Sequence, residues 1–266
     1  MNSFMTPVIC SGSPVTELRI KMGQLVLRGF IVGIVAGLLA FGWAKGFGEP
    51  AVDTAINFES AQHQAQAAAA VAAGKPAPDD DPEIFSRTVQ SGIGLLTGMV
   101  GVGAGLGCLF AILFAFANGR VGRLGPAPTS ALLALFGLVS VYLVPALKYP
   151  ANPPSVGEPD TIKYRTGLYF LMMAISIAST LGALRLRRLL ASRHGAWNAS
   201  LLALGAYLVV IAAGFVLLPG INEVPTTFPA VTLWNFRLAS LGIQTVLWGS
   251  IGIMFGYVGQ RTSRSR

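Results

Sequence analysis

The chain has 266 residues, of which 53% are hydrophobic and only 11% are charged, and its mean hydropathy is +0.63. Because water-soluble domains carry about 25% charged residues, this composition excludes an ordinary soluble protein and indicates an integral membrane protein. The two cysteines, Cys10 and Cys108, are too few for a disulfide framework or a cysteine-rich metal site.

Residues 1–24 form a polar N-terminal tail that contains Glu17, Arg19 and Lys21. The apolar run that follows has no small-residue cleavage site of the kind that ends a signal peptide. Met22 stands directly before this run, so translation could also start there, and both start sites stay open. The sequence predicts a cytoplasmic tail over 1–24, one membrane domain over 25–260 and a basic cytoplasmic tail over 261–266.

Six apolar segments are long enough to cross a bilayer, which takes about 20 helical residues. None shows the period-two alternation of an outer-membrane barrel strand. We therefore predict an all-α, polytopic membrane helix bundle with six transmembrane helices. They are Leu25–Phe47, one helix within Thr88–Asn118, one within Leu124–Leu147, Thr166–Leu184, Trp197–Pro219 and Val231–Tyr257.

Lysine and arginine are distributed unequally between the two sides of this bundle. With the N-terminus inside, twelve of the 19 fall on the inner side and seven on the outer side. Cytoplasmic loops carry the excess of these residues, so both termini are predicted to be cytoplasmic. The net charge of +8 is then a topology signal and requires no nucleic acid. The predicted outer loops are 48–87, 148–165 and 220–230, and they hold ten of the 11 acidic residues.

The first outer loop begins with EPAVDTAINFESAQHQAQAAAAVAAG, whose early Pro50 and alanine run predict an extra helix in this loop. Glu49 and Asp53 are four residues apart, as are Glu59 and His63, and residues at this spacing share a helix face. Imidazole and carboxylate ligands suit Co, Ni or Zn ions, so these four residues are candidate metal ligands. An exposed acidic helix face without a metal is the alternative interpretation of both pairs.

Two other features of the chain predict structure rather than chemistry. Gly29, Gly33 and Gly37 form a small-residue stripe on the first helix, which predicts close packing of a neighbouring helix. The acidic run Asp79–Glu83 lies among proline and glycine and is typical of a solvated linker.

The second outer loop, KYPANPPSVGEPDTIKYR, spans Lys148–Arg165 and contains four prolines, which keep it extended or turning. A rigid, charged loop between membrane helices is either a place where a substrate passes or a solvated connector. In the third loop, PGINEVPTTFP, Glu223 is placed to pair with Arg237 of the sixth helix. The candidate residues of a transport pathway are Glu158, Asp160, Asn152, Lys148, Glu223, Arg237 and Asn222.

Several segments of the chain resemble the CbtA family, whose members are described as probable cobalt transporter subunits. The segments are RGFIVGIVAGLLAF, FGEPAVDTAINFE, YLVPALKYPANPPSVGEPDTIKYRTGLYF, GAWNASLL, LPGINEVPTTFPA and LWNFRLASLGIQ. The resemblance implies a multi-pass protein of the bacterial inner membrane that takes cobalt or a related divalent cation as its substrate, with no permanently bound cofactor. It also implies a small, single-span companion subunit with a histidine-rich tail.

We therefore predict a membrane subunit of a cobalt transporter, with cations gathered at acidic, proline-rich outer loops. The alternative is a non-transporting membrane scaffold, which is favoured by the lack of acidic residues at the predicted midplane. No P-loop, H-E-x-x-H or G-x-S-x-G motif occurs, so an enzyme is not predicted.

Overall fold

The regular structure of the chain is helical throughout the part described by a computed structural model, residues 14–76, 85–120, 124–154 and 156–264. No strand occurs in these ranges, in agreement with the predicted all-α class. The tail before Pro14 and the acidic run Asp79–Glu83 lie outside them. The helices are α1 Pro14–Trp43, α2 Glu49–Ala72, α3 Arg87–Ala117, α4 Pro126–Lys148, α5 Ile162–Leu217 and α6 Ala230–Arg264.

Three helical stretches contain π-helical turns, in which the hydrogen bonds reach one residue further than in an α-helix. The first joins α1 to α2, so that Met22–Ala72 is continuously helical. The others lie near the start of α3 and near the end of α4. Their bounds are Ala44–Gly48, Gln90–Gly94 and Leu138–Leu143.

Five helical stretches in the described ranges are long and apolar enough to cross a membrane. The sequence predicts six crossings, and the difference arises because two of the predicted helices lie within α5. The backbone of α5 is non-helical at Gly195, where φ is 75° and ψ is 162°. Glycine adopts this conformation because it has no β-carbon. The element α5 thus consists of two helices that meet at Gly195.

The two halves of α5 lie side by side. Gly214 of the second half contacts the side chain of Met172 in the first half. Leu168 and Met172 also share an apolar cluster with Tyr207 and Phe215. Since earlier residues of the first half meet later residues of the second, the halves run antiparallel, and both ends of α5 lie at the same end of the bundle.

Helices α1 and α3 pack through their glycines, as the stripe on the first helix predicts. A β-carbon at Gly33 would overlap the backbone of Gly103, and one at Gly103 would overlap the backbone of Gly33. Gly29 and Gly107 form a second pair of the same kind. The two backbones are therefore in direct contact, a form of association that small residues permit in membranes.

The largest apolar cluster lies where α1, α3, α4 and α6 meet. Phe255 of α6 packs edge-to-face against Phe110 and Phe114 of α3, with ring centroids 5.4 Å and 5.0 Å apart. The indole nitrogen of Trp43 donates a hydrogen bond of 3.2 Å to the carbonyl of Ala239 and so ties α1 to α6. This cluster fixes the helices that support the loops described next.

Candidate functional site at the loop end of the bundle

Two proline-containing loops, residues 149–161 and 218–229, meet at one end of the bundle, which we call the loop end. The hydroxyl of Tyr149 donates a 2.8 Å hydrogen bond to the carbonyl of Pro219. Lys148 donates from Nζ to the carbonyl of Phe215 at 2.8 Å, near the C-terminus of α5, where the helix dipole favours a cation. Lys148, a predicted pathway residue, therefore joins α4 to α5.

Glu223 joins the two loops through a single carboxylate oxygen. Its Oε2 accepts hydrogen bonds from the backbone N–H of Glu158 and from the hydroxyl of Thr161, both at 2.9 Å. The same oxygen lies 3.3 Å from Nε of Arg165. The hydrogen bonds from Glu158 and Thr161, followed by the charge of Arg165, hold the pKa of Glu223 below its usual range.

Arg237 does not form the predicted ion pair with Glu223, because Arg165 takes that place. Arg237 instead donates from Nε to the carbonyl of Ala151 at 3.3 Å and from Nη2 to Oδ1 of Asn152 at 3.0 Å. It thus holds the start of the 149–161 loop against α6. Both acceptors are neutral groups.

Arg165 reaches Glu223 by passing beneath Gly157. A β-carbon at Gly157 would overlap the guanidinium of Arg165, and the φ of Gly157 is +111°. Arg165 also donates from Nη2 to the carbonyl of Glu158 at 3.2 Å. The backbone conformation therefore favours a glycine at position 157, and the arginine that lies against it would have to shift to admit a β-carbon.

A cavity of about 720 Å³ opens between these loops and the ends of α4, α5 and α6. Much of its wall is aromatic or proline, and its charged lining residues in the described chain are Arg165, Glu223 and Arg237. Asn152 and Asn222, both predicted pathway residues, also line it. The remaining polar and ring-bearing wall residues are Tyr142, Tyr149, Tyr169, Thr166, Pro150, Pro153 and Pro154.

The π-helical turn Leu138–Leu143 shapes one wall of the cavity. It contains Tyr142, which lines the cavity, and Val141, whose carbonyl accepts a 3.4 Å hydrogen bond from the hydroxyl of Tyr169. Turns of this kind are frequent at functional sites. In this chain the turn brings two tyrosines from different helices to the same wall.

The other two predicted pathway residues lie in the same loop but not on the cavity wall. Glu158 and Asp160 are exposed, and neither is among the residues that line the cavity. The backbone of Glu158 is used in the contacts to Glu223 and Arg165, while its side chain faces solvent. These two acids thus lie outside the cavity.

Helix α2 packs on the loop end. Ala55 and Phe58 of α2 share an apolar cluster with Val156 and Phe228 of the two loops, and the rings of Phe58 and Phe228 meet edge-to-face at 5.1 Å. Gln62 donates a hydrogen bond of 3.2 Å to the hydroxyl of Thr227. The helix that carries the four candidate metal ligands is therefore fixed against both loops.

Glu49 and Asp53 share one face of α2, as their spacing predicts, but both contact Arg87 at the start of α3. Arg87 forms an ion pair with Glu49 and donates hydrogen bonds to Oδ1 of Asp53 from Nε at 3.0 Å and from Nη2 at 2.9 Å. The side chain of Glu49 is 12% exposed and that of Asp53 is 58% exposed. In this structure the carboxylates of Glu49 and Asp53 neutralise the charge of Arg87.

Glu59 and His63 lie further along α2, where Glu59 is half-buried and His63 is exposed. Within the described residues, no three His, Cys, Asp or Glu side chains are close enough together to hold a metal ion. The four candidate ligands thus stay as two separate pairs on one helix.

Sequence reasoning missed Arg165 and the three tyrosines of the cavity wall. Tyr142, Tyr149 and Tyr169 stand near the ends of apolar helices, where a tyrosine is typical of an interfacial anchor, so the sequence does not mark them as cavity residues. Gly157 is the one sequence feature that could have indicated the position of Arg165, because a glycine inside a proline-rich loop suggests that another group approaches the backbone closely.

The chain matches one family model over residues 22–260, and that model is described as "Probable cobalt transporter subunit (CbtA)". Comparison with curated proteins and with solved structures gives no significant match.

Proposed function

Because the chain belongs to the CbtA family, we propose that it is the multi-pass subunit of a cobalt transporter in the bacterial inner membrane. The family match over nearly the whole chain carries this proposal. In it, six helices cross the bilayer, both termini are cytoplasmic, and α2 lies with the two loops at the outer surface. Cobalt is the substrate, and a small single-span companion with a histidine-rich tail completes the transporter.

The length and the kink of α5 support six crossings. At 1.5 Å per residue, its 56 residues would extend about 84 Å, whereas the hydrocarbon core is about 30 Å thick. The antiparallel halves each have a suitable length for one crossing. If α5 crosses twice and each of the other four helical stretches crosses once, the chain crosses the membrane six times.

The cations at the end opposite the cavity support a cytoplasmic position for that end. Arg188 of α5 donates a hydrogen bond of 3.4 Å to the carbonyl of Arg120, which follows α3. Arg187, close to the kink, bonds Ser200 of the second half at 2.9 Å. Arginine-rich connections are typical of cytoplasmic loops, so the loop end faces outward.

The cavity is the proposed place of substrate entry. It is bounded by both loops, and four predicted pathway residues, Asn152, Asn222, Glu223 and Arg237, line its wall. The exposed Glu158 and Asp160 beside it would attract metal from solution. Substrate would pass from the cavity between α4, α5 and α6.

Cobalt accumulation in cells tests this function. Cells that express the chain, with and without the companion subunit, are supplied with radiolabelled cobalt, and the metal that enters is measured. We expect uptake above the vector control when both are present. No uptake in either case, with the chain folded in the membrane, would contradict the proposal.

A non-transporting scaffold is the second candidate, and the ion pairs of the loop end favour it. The carboxylates of Glu49, Asp53 and Glu223 are all in contact with arginines, as expected of loops built to be rigid. In this case the loop end would dock another protein. Cobalt transport by the purified chain in liposomes would exclude the scaffold.

A further inference from the structure

The loop-end cavity is larger than a single hydrated ion requires. The cavity encloses about 720 Å³, which is within the range of about 300–1,000 Å³ typical of small-molecule pockets. A divalent ion with six waters takes up about 200 Å³, because one water occupies about 30 Å³ in the liquid. The space is therefore sufficient for an organic ligand.

The charge of the cavity wall is positive. Its described lining contains two arginines and one carboxylate, that of Glu223. The Oε2 of this carboxylate already accepts two hydrogen bonds and lies against Arg165. A bare cation entering the cavity would therefore be repelled by Arg237, whose charge Glu223 does not neutralise. The carboxylate of Glu223 is already paired with Arg165.

Arg237 supplies the excess charge. Its two hydrogen bonds in the described chain go to neutral oxygens, those of Ala151 and Asn152, and use Nε and Nη2. A guanidinium has five N–H donors in a planar fork that matches a carboxylate. Nη1 makes no hydrogen bond to the described residues, so part of this fork is available to a ligand.

We propose that the cavity binds a small organic anion that bears a carboxylate, recognised by the guanidinium of Arg237. Tyr142 supplies a hydroxyl for the remainder of the ligand. Tyr149 and Tyr169, whose hydroxyls donate to the carbonyls of Pro219 and Val141, supply ring faces. The ligand is either a free organic acid or the chelate that such an acid forms with a divalent metal. The second source rests on the proposed function and means that cobalt reaches this subunit already complexed.

Direct binding to the purified full-length chain in lipid nanodiscs tests the site without requiring transport. The probes are citrate, a compact tricarboxylate that chelates cobalt, the cobalt–citrate complex, and cobalt chloride alone, each titrated by calorimetry. We expect citrate or its complex to bind at millimolar concentration or below, and Arg237→Gln to weaken this binding about tenfold or more, because a charge-assisted contact is lost. Tighter binding of the complex than of citrate identifies the chelate as the ligand, and the reverse identifies the free acid.

Two matched variants separate recognition from loop positioning and from general charge. Asn152→Ala removes a contact that Arg237 uses to hold the loop but leaves the guanidinium in place. Because Asn152 also lines the cavity, this variant should weaken binding, but by less than Arg237→Gln does. Lys163→Gln removes an exposed cation of the same region that does not line the cavity, and it should bind as the wild type does.

Three results would overturn the proposal. The first is that neither citrate nor its complex binds to a folded chain. The second is that Arg237→Gln binds them as tightly as the wild type. The third is that cobalt chloride alone binds to the wild type and binds more tightly to Arg237→Gln, as expected of a cavity that holds a bare cation. Binding without any transport would leave this inference standing and would contradict only the proposed function.

Discussion

Nε of Arg165 lies 3.3 Å from Oε2 of Glu223, and this ion pair joins the first turns of α5 to the loop that follows α5. The side chains are 23% and 18% exposed, respectively, so water reaches both only in part. With the hydrogen bonds from Glu158 and Thr161, the pair fixes the two loops that bound the cavity.

Replacing Glu223 with glutamine should loosen the 149–161 loop. The variant keeps an acceptor oxygen of similar shape but loses the charge that attracts Arg165 and strengthens the bond from the amide of Glu158. We expect faster amide hydrogen exchange at residues 156–161, measured by mass spectrometry. Glu158→Gln changes an exposed acid of the same loop and should leave the exchange unchanged. Equal exchange in Glu223→Gln and the wild type would show that the contact does not hold the loop.

The same carboxylate should make the loop sensitive to acid. The pKa of Glu223 is lower in the folded chain than its ordinary value of 4.5, so its ionised form stabilises the fold. This stabilisation is complete above pH 4.5 and is lost as the pH falls through the lowered folded value. The difference in melting temperature between wild type and Glu223→Gln should therefore be constant at neutral pH and shrink below about pH 4.5. A difference that grows on acidification would contradict this assignment.

The contact between α1 and α3 should not tolerate a methyl group. Gly33→Ala places a β-carbon against the backbone of Gly103, so the helices must separate, at a cost of about 1–3 kcal/mol as for other overpacked cores. Gly101→Ala is the matched control, because nothing lies within 4 Å of a β-carbon there. Thermal unfolding in detergent compares the two. Equal melting temperatures for both variants would show that the backbones are not in contact.

The kink in α5 depends on the backbone of Gly195. Gly195→Ala puts a β-carbon on a residue with φ 75° and ψ 162°, a conformation that costs a residue other than glycine about 1–3 kcal/mol. Gly182→Ala is the control, since it lies in a regular helical part of α5 with nothing within 4 Å. We expect only the first variant to unfold at a lower temperature. If both behave as the wild type does, the two halves of α5 join in a different way.

The helices and their glycine contacts could be predicted from the sequence, because both depend on local patterns. Apolar runs determine which segments can cross the bilayer, and the spacing of Gly29, Gly33 and Gly37 determines which face packs closely. The helices extend beyond the predicted membrane segments Thr166–Leu184 and Trp197–Pro219, since helix continues through the Arg185–Arg193 region to the kink at Gly195. Arginine and leucine are good helix formers, so the helices extend past the apolar residues.

The pairing of charges could not be predicted in the same way. Arg165 and Arg237 both lie close to Glu223 in the folded chain. Their separation from Glu223 along the sequence does not predict which of them contacts it. The choice depends on the fold of the 149–161 loop, in which Gly157 lets Arg165 pass beneath the backbone while Arg237 bonds Ala151 and Asn152. In the same way, the partner of Glu49 and Asp53 is Arg87, which lies in a separate helix.

Cobalt transport into liposomes tests the central claim most directly. The purified chain is reconstituted alone and with the single-span companion, and entry of radiolabelled cobalt is followed, both as the chloride and as the citrate complex. We predict time-dependent entry that requires this chain and is greatest when the companion is present. Liposomes that contain both folded proteins but take up no more cobalt than empty ones, in either form, would contradict a transport function and favour the scaffold.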